Sequence, residues 1–281
     1  VDSVIGLGKA GCRIAERFKN YPQYSVYMIS DQPRESENFF LLEKRDSHEE
    51  YELSCPDFDD FFHGVGDSCL FILAGGTKIS GASLKILWHL RDKDVSILYI
   101  HPDADGLVGL TALRHNIVFG VLQQYARSGV FSQMYISQNS ALESILQDIP
   151  VIGYHDKIND LLVSTIHMIN IFNNTESEFD TFKEISDAAR LATIGVVDIE
   201  KSQESLFFNL TMPREKCYYY AINREKLESD GTLMRSIKEQ VRARLDGKTR
   251  VTYGIFSTEY ESSYGYCVHY SSLIQDQQKE E

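Results

Sequence analysis

The sequence predicts an α/β protein: a parallel-sheet, Rossmann-like nucleotide-binding domain, then a long central helix, then a smaller C-terminal α/β domain. Three features predict it. Strand-like runs alternate with helical ones through the first half, the pattern of a parallel sheet joined by crossover helices. A glycine-rich turn, Gly6-Leu7-Gly8-Lys9-Ala10-Gly11, falls between the first strand-like run and the first helical one. Residues 156–172 form a helical stretch with apolar residues on nearly every face, which must be buried on several sides.

Along the chain, residues 4–6 read as a strand and 8–20 as a helix, with Ile14, Ala15 and Phe18 on one face. Residues 24–30 are a second strand. The Glu-, Arg- and Ser-rich stretch 34–54 reads as loop or a poorly packed helix. Strands follow at 69–73, 95–101 and 133–137, with helices at 81–90, 110–127 and 140–147 between and after them. Trp88, in the first of these helices, is expected in the core. In the central helix, Ile158, Leu161, Leu162, Ile166, Ile169 and Phe172 form one stripe, while Val163, Met168 and Ile171 widen it. The expected setting is between two packed bodies.

The polar, turn-like stretch 173–179 marks a domain boundary. Residues 1–174, central helix included (about 156–172), are the expected nucleotide-binding domain, 175–270 the C-terminal domain, and 271–281 a polar tail. In the second domain, 190–197, 204–210, 217–221, 250–256 and 264–270 read as strands. Residues 233–245 read as a helix with Ile237, Val241 and Leu245 on one side and Arg235, Lys238, Arg242 and Arg244 on the other.

The 281 residues are 43% hydrophobic and 25% charged, an ordinary globular balance. A formal charge of −13 disfavours nucleic-acid binding, which depends on neutralising phosphates. No apolar run approaches the roughly 20 residues that span a bilayer, and no signal peptide is expected. The five scattered cysteines contain no CxxC pair, so neither a disulfide framework nor a zinc site is expected, and the expected setting is cytoplasmic.

The glycine turn has two readings. Glycines let a backbone approach a phosphate, and a helix N-terminus offers unpaired N–H groups at its positive end. Asp31, at the end of the second strand, stands where a dinucleotide-binding fold places its ribose-binding acid. Residues 1–31 alone therefore leave a nicotinamide enzyme open. After the third strand comes a second glycine-rich turn, Ala74-Gly75-Gly76-Thr77-Lys78-Ile79-Ser80-Gly81-Ala82, which a dinucleotide fold does not need.

With both turns the chain resembles the tubulin/FtsZ superfamily. The stretch Gly8-Lys9-Ala10-Gly11-Cys12-Arg13-Ile14 is similar to the first nucleotide loop of tubulins, and Gly75–Gly81 to their GGGTG(T/S)G loop. The likeness continues in order through Ser30-Asp31, the loop 101–106, Asn139, the central helix and the strand beginning near Ala189. It implies a self-assembling, guanine-nucleotide-binding cytoskeletal protein that takes GTP/GDP, with Mg²⁺ accompanying the nucleotide. Phosphate contacts would fall to Gly8, Lys9, Ala10, Gly11 and Cys12 on one side, and Gly75, Gly76, Thr77, Lys78, Ser80 and Gly81 on the other. Asp31 would lie near the ribose, Asn139 would read the base, and Ile158 in the first turns of the central helix would pack on it. Partners would be further copies joined head to tail, together with adaptor proteins. If the chain hydrolyses GTP, Glu178, with Glu176 beside it, would position water at a neighbour's nucleotide.

The sequence departs from the family at two places. Thr77, Lys78 and Ile79 replace Gly, Thr and Gly, and a branched side chain at 79 blocks a close backbone approach to phosphate. Glu176 and Glu178 stand where the family has Asn and Asp, so an acidic solvated linker is the competing reading. A degenerate, non-hydrolysing or non-polymerising relative acting as an adaptor or structural protein is therefore the first alternative, and an NAD-dependent oxidoreductase the second. His101, Asp103 and Asp105 read as a polar loop rather than metal ligands, and His167 as a core residue.

Overall fold

The structure is a computed structural model describing residues 1–275. The chain divides into two compact units, Val1–Val163 and Ser164–Glu281.

The first unit contains β1 (Ser3–Leu7), α1 (Gly8–Arg17), β2 (Ser25–Ser30), β3 (Phe39–Leu41), α2 (His48–Leu53) and β4 (Ser68–Ala74). It continues with α3 (Ser83–Trp88), β5 (Asp94–His101), α4 (Gly109–Arg127), β6 (Gln133–Gln138), α5 (Asn139–Leu146) and the start of α6 (Tyr154–Asn173). Its strands run parallel in the order β3-β2-β1-β4-β5-β6. The order reverses between β1 and β4, which pair side by side in register from Ser3↔Cys69 to Gly6↔Ile72. In an open parallel sheet such a reversal opens a crevice beyond the strands' C-terminal ends. The strands read as unbroken apolar runs because both faces are covered: all five residues of β1 and the central five of β4 are buried.

The second unit holds the end of α6, then β7 (Phe179–Asp180), β8 (Leu191–Asp198), β9 (Gln203–Leu206), β10 (Glu215–Asn223), α7 (Arg224–Ser229), α8 (Leu233–Ala243), β11 (Arg250–Thr258) and β12 (Tyr264–Ser271). β12 lies antiparallel between β8 and β10, and β10 pairs parallel with β11. Its core gathers Tyr218, Tyr220, Ile255 and Cys267 from the sheet against Ile237 and Val241 of α8.

Four expectations are corrected. The stretch 34–54 contains β3, paired in parallel with β2, and α2, whose Ser47 side chain accepts from the Glu50 N–H as an N-cap. Trp88 is 64% exposed, with the Arg91 guanidinium 4.8 Å over its ring. α8 stops at Ala243, so Leu245 is exposed and Arg244 turns inward, 4.6 Å over the Tyr218 ring. The expected tail begins later than 271. Ser271 ends β12, the Gln275 carboxamide oxygen accepts from the Thr211 N–H at 2.7 Å, and residues 276–281 lie outside the described residues.

The helix at 156–172 is present, and no residue of 161–172 is exposed. Ile158, Leu162, Val163, Ile169 and Phe172 are buried as the apolar pattern requires. No helix among the described residues is long and apolar enough to cross a membrane.

Candidate functional site

The first glycine turn is built for a close approach of helix to sheet. Gly8 has φ +72°, a left-handed conformation that lets β1 turn directly into α1. A Cβ on Gly11 would sit 2.5 Å from the Ile72 carbonyl oxygen of β4, so only glycine lets α1 lie this close to the strand. The residue preceding α1 is Leu7, which offers no side-chain cap, and the helix's first turn has no acidic residue. The N-terminal N–H groups of α1 are thus left to face the crevice.

The second turn is packed from behind. A Cβ on Gly75 would meet the Tyr99 hydroxyl at 2.2 Å and His115 Nδ1 at 2.7 Å, and one on Gly81 would meet the His48 carbonyl oxygen at 2.1 Å. These glycines seat the turn on its own protein. The Ser80 hydroxyl donates to the Thr77 carbonyl (2.6 Å) and the Thr77 hydroxyl to the Ala74 carbonyl (3.3 Å), winding residues 79–82 into a 3-10 turn. Beneath it, the Tyr99 hydroxyl and His115 Nδ1 share a 2.7 Å hydrogen bond, and His101 stacks edge-on to His115. Burial, with His101 alongside, pushes His115 down to about 4.

Between the two turns lies a cleft of about 340 Å³ within the first unit. Of the residues expected at a nucleotide site, Gly8, Lys9, Ala10, Thr77 and Asn139 line it. Asn139 is there because it opens α5 directly at the end of β6. The remaining ones sit elsewhere in the unit. Gly11 is used against β4, and Gly75, Gly76, Ser80 and Gly81 in the packing of the second turn. Lys78 is exposed outside the lining. Ile158 is wholly buried behind it.

Cys12 is also fully buried. Its thiol lies 3.4 Å from the carbonyls of Gly6 and Ile29, and burial pushes it up to about 11, so it is neither a reactive thiolate nor part of the lining. Asp31 is engaged by α2: the Tyr51 hydroxyl donates to its carboxylate at 2.6 Å.

Several lining residues were not singled out from the sequence as contacts, among them Arg13, Ile79, His155 and Asn159. His155 and Asn159 are four apart on α6 and so share a face, in the polar first turns that precede its apolar stretch. Asn159 is nearly buried. The first turns of α6 are tied to α1 by Arg17, whose guanidinium donates to Asp156 (2.5 Å) and Asp160 (2.7 Å). The cleft therefore has cations and helix N–H groups at one side and two carboxamides among its other walls. Among the described residues no carboxylate lines it.

In the second unit, Glu176 and Glu178 are exposed, and the Glu178 N–H donates to the Ile255 carbonyl at 2.9 Å, fixing the backbone beside β7. His101, Asp103 and Asp105 do not bring three donors together. His101 Nδ1 lies 2.7 Å from the Pro102 carbonyl, and Asp103 accepts from the Ser140 N–H. Donor atoms do converge at Glu204, Cys267 and His269, and at Asp57, Asp59 and His89. The first group is held by other partners: the Tyr218 hydroxyl donates to Glu204 at 2.6 Å, and Arg244 stands 3.7 Å away.

No protein-family model matches the sequence, and no curated protein matches it. Solved structures do. A GTPγS-form protofilament of TubZ from Bacillus thuringiensis serovar israelensis superposes with a TM-score of 0.74 at 16% identity, over 95% of this chain and 86% of that one. An FtsZ dimer from M. jannaschii gives 0.69 at 12%, over 96% and 87%. A type III plasmid segregation TubZ gives 0.72 at 16%, over 97% and 88%. The chain has the tubulin/FtsZ fold. Within that tubulin/FtsZ frame, the cleft between the two glycine turns occupies the sheet's switch point, where open α/β sheets take their ligands.

Proposed function

We propose that the chain binds a guanine nucleotide in the cleft of its first unit and assembles head to tail with further copies of itself. One observation carries the reading. The uncapped N-terminus of α1, flanked by Lys9 and Arg13, opens onto a cleft whose walls also hold the carboxamides of Asn139 and Asn159. A helix N-terminus with cations beside it suits phosphate. Carboxamides offer both donor and acceptor, as a guanine edge requires. Any Mg²⁺ would arrive with the phosphates, because the cleft residues supply no carboxylate.

Two further facts support assembly. Structures of the same fold include GDP-form protofilaments of TubZ and two- and four-stranded TubZ filaments. In this chain Leu110, Leu113 and Ile117 lie along one face of α4, exposed by 65%, 53% and 47%, an apolar strip that a contact between copies would cover.

Two versions of the chemistry remain distinct. In one, Glu178 of a neighbouring copy polarises water for hydrolysis, a task that needs positioning and a modest base. In the other, the chain binds nucleotide and assembles without hydrolysis, and the contact of Ile79 with the first turn favours it. The nicotinamide reading has less support, because Asp31, its expected ribose-binding acid, is not among the residues lining the cleft.

The deciding experiment is to purify the chain, denature it and identify the released small molecule, then titrate GDP and NADH. Guanine nucleotide released and GDP bound supports the reading. NADH binding without GDP binding overturns it.

A further inference from the structure

We infer that the cleft admits a guanine nucleotide only as far as its second phosphate, and that Ile79 is the residue setting this limit. The inference rests on the nucleotide reading above and narrows it to one member of that ligand class.

The two glycine turns touch through a side chain. Ile79 is 8% exposed, and its Cγ2 lies 2.8 Å from the position a Cβ on Gly8 would take. An sp³ methyl therefore stands against the backbone of the phosphate turn, within the gap between the turns. A phosphate lying there would need the volume the methyl occupies. Ile79 also lacks an easy way out. It is β-branched, so its χ1 is restricted, and the 3-10 turn that carries it is fixed by the Gly81 N–H donating to the Lys78 carbonyl at 3.1 Å. Behind that turn, Gly81 lies directly against the His48 carbonyl of α2, so the turn cannot retreat.

The turn's own donors point the same way. The hydroxyls of Thr77 and Ser80 are spent on carbonyls of the turn itself, and the Gly75 N–H donates to the Ile100 carbonyl at 3.0 Å. A terminal phosphate would thus find a methyl where it needs space, with the Thr77 and Ser80 hydroxyls and the Gly75 N–H already engaged. The phosphates nearer the sugar would still meet the N-terminus of α1, Lys9 and Arg13. The cleft volume of about 340 Å³ lies near the lower end of the ~300–1,000 Å³ usual for small-molecule sites.

The test is competition of GMP, GDP and GTP, each with Mg²⁺, against a fluorescent guanosine diphosphate on the full chain. The wild type is expected to bind GDP at least tenfold more tightly than GTP. Ile79→Gly should reduce that ratio at least tenfold, and Ile79→Ala should fall between. Wild type binding GTP as tightly as GDP overturns the inference and leaves the nucleotide reading standing. An unchanged ratio in folded Ile79→Gly, with the wild-type circular dichroism spectrum, also overturns it. No binding of any of the three by wild type overturns the nucleotide reading and the inference with it.

Discussion

His115 gives the fold a built-in acid sensitivity, and its size follows from the structure. The imidazole is fully buried, bonded through Nδ1 to the Tyr99 hydroxyl and stacked on Phe119, with its value held down to about 4 by burial and by His101. The unfolded chain titrates at the ordinary value of about 6.5. Between these two values the unfolded chain binds the extra proton, so stability is full above about 6.5 and falls as pH drops toward 4. At pH 5 an unfolded imidazole is almost wholly protonated and the folded one almost wholly neutral. At ~1.4 kcal/mol per pH unit, lowering the pH from 7.5 to 5 should cost ~2 kcal/mol through this residue. Replacing His115 by Asn removes the titration and keeps a polar side chain near Tyr99. Urea unfolding of wild type and His115→Asn at pH 7.5, 6 and 5 isolates the term, because acid-dependent losses elsewhere are common to both. The stability gap between them should shrink or invert by ~2 kcal/mol on acidification. Parallel loss in the two proteins would refute the reasoning.

Three further outcomes are expected. Burial alone would raise Glu204, but hydrogen bonds from His269 and Tyr218 outweigh it and hold it at about 2. Its charge therefore stabilises above about 4.5 and is lost as pH falls toward 2, and Glu204→Gln should cost ~3 kcal/mol at pH 7 by urea unfolding, with a change below ~0.5 kcal/mol counting against it. Leu162, 1% exposed on α6, should cost ~2–5 kcal/mol when cut to Ala, whereas Trp88→Ala should stay within ~0.5 kcal/mol. Asn139→Ala and Asn159→Ala should each weaken GDP binding by about tenfold and reduce its preference over ADP, as loss of a paired polar contact does. Retention of full guanine preference in both would remove the carboxamides from base reading.

The parts of the fold legible in the sequence were those governed by period and by backbone. Buried parallel strands must be continuously apolar, and a helical stretch without exposed positions must be apolar on most faces, so β1, β2, β4, β5, β6 and the 161–172 part of α6 announced themselves. The first glycine turn was equally readable, because a left-handed Gly8 and a Cβ-free Gly11 are demanded by local geometry. What stayed hidden depends on partners distant in sequence. β3 has three residues and exists through pairing with β2, so no periodicity could betray it. Trp88 sits at the end of a six-residue helix, too short for a stripe to tell inside from outside. Arg244 follows the last residue of α8, and its attraction to Tyr218 and Glu204 is set by strands distant in the sequence.

The second glycine turn is legible as a motif, and the structure gives its glycines a packing use independent of any ligand. The glycines at 75 and 81 suggest phosphate contact, yet in the structure their missing side chains make room for Tyr99 and the His48 carbonyl. A glycine needed for packing against protein and one needed for approach to a ligand leave the same letter in the sequence. The difference lies in the residue beside them. Glycine at position 79 would have left the gap between the turns open, whereas isoleucine fills it while the surrounding packing holds the turn in place. The same framework can thus keep its shape when its chemistry changes, because the contacts that build the turn lie behind it and the side chain that decides what enters lies in front. Ile79, rather than the glycines, is therefore the residue at which the two turns meet, and the comparison of GDP with GTP in Ile79→Gly is the measurement that tests what that side chain excludes.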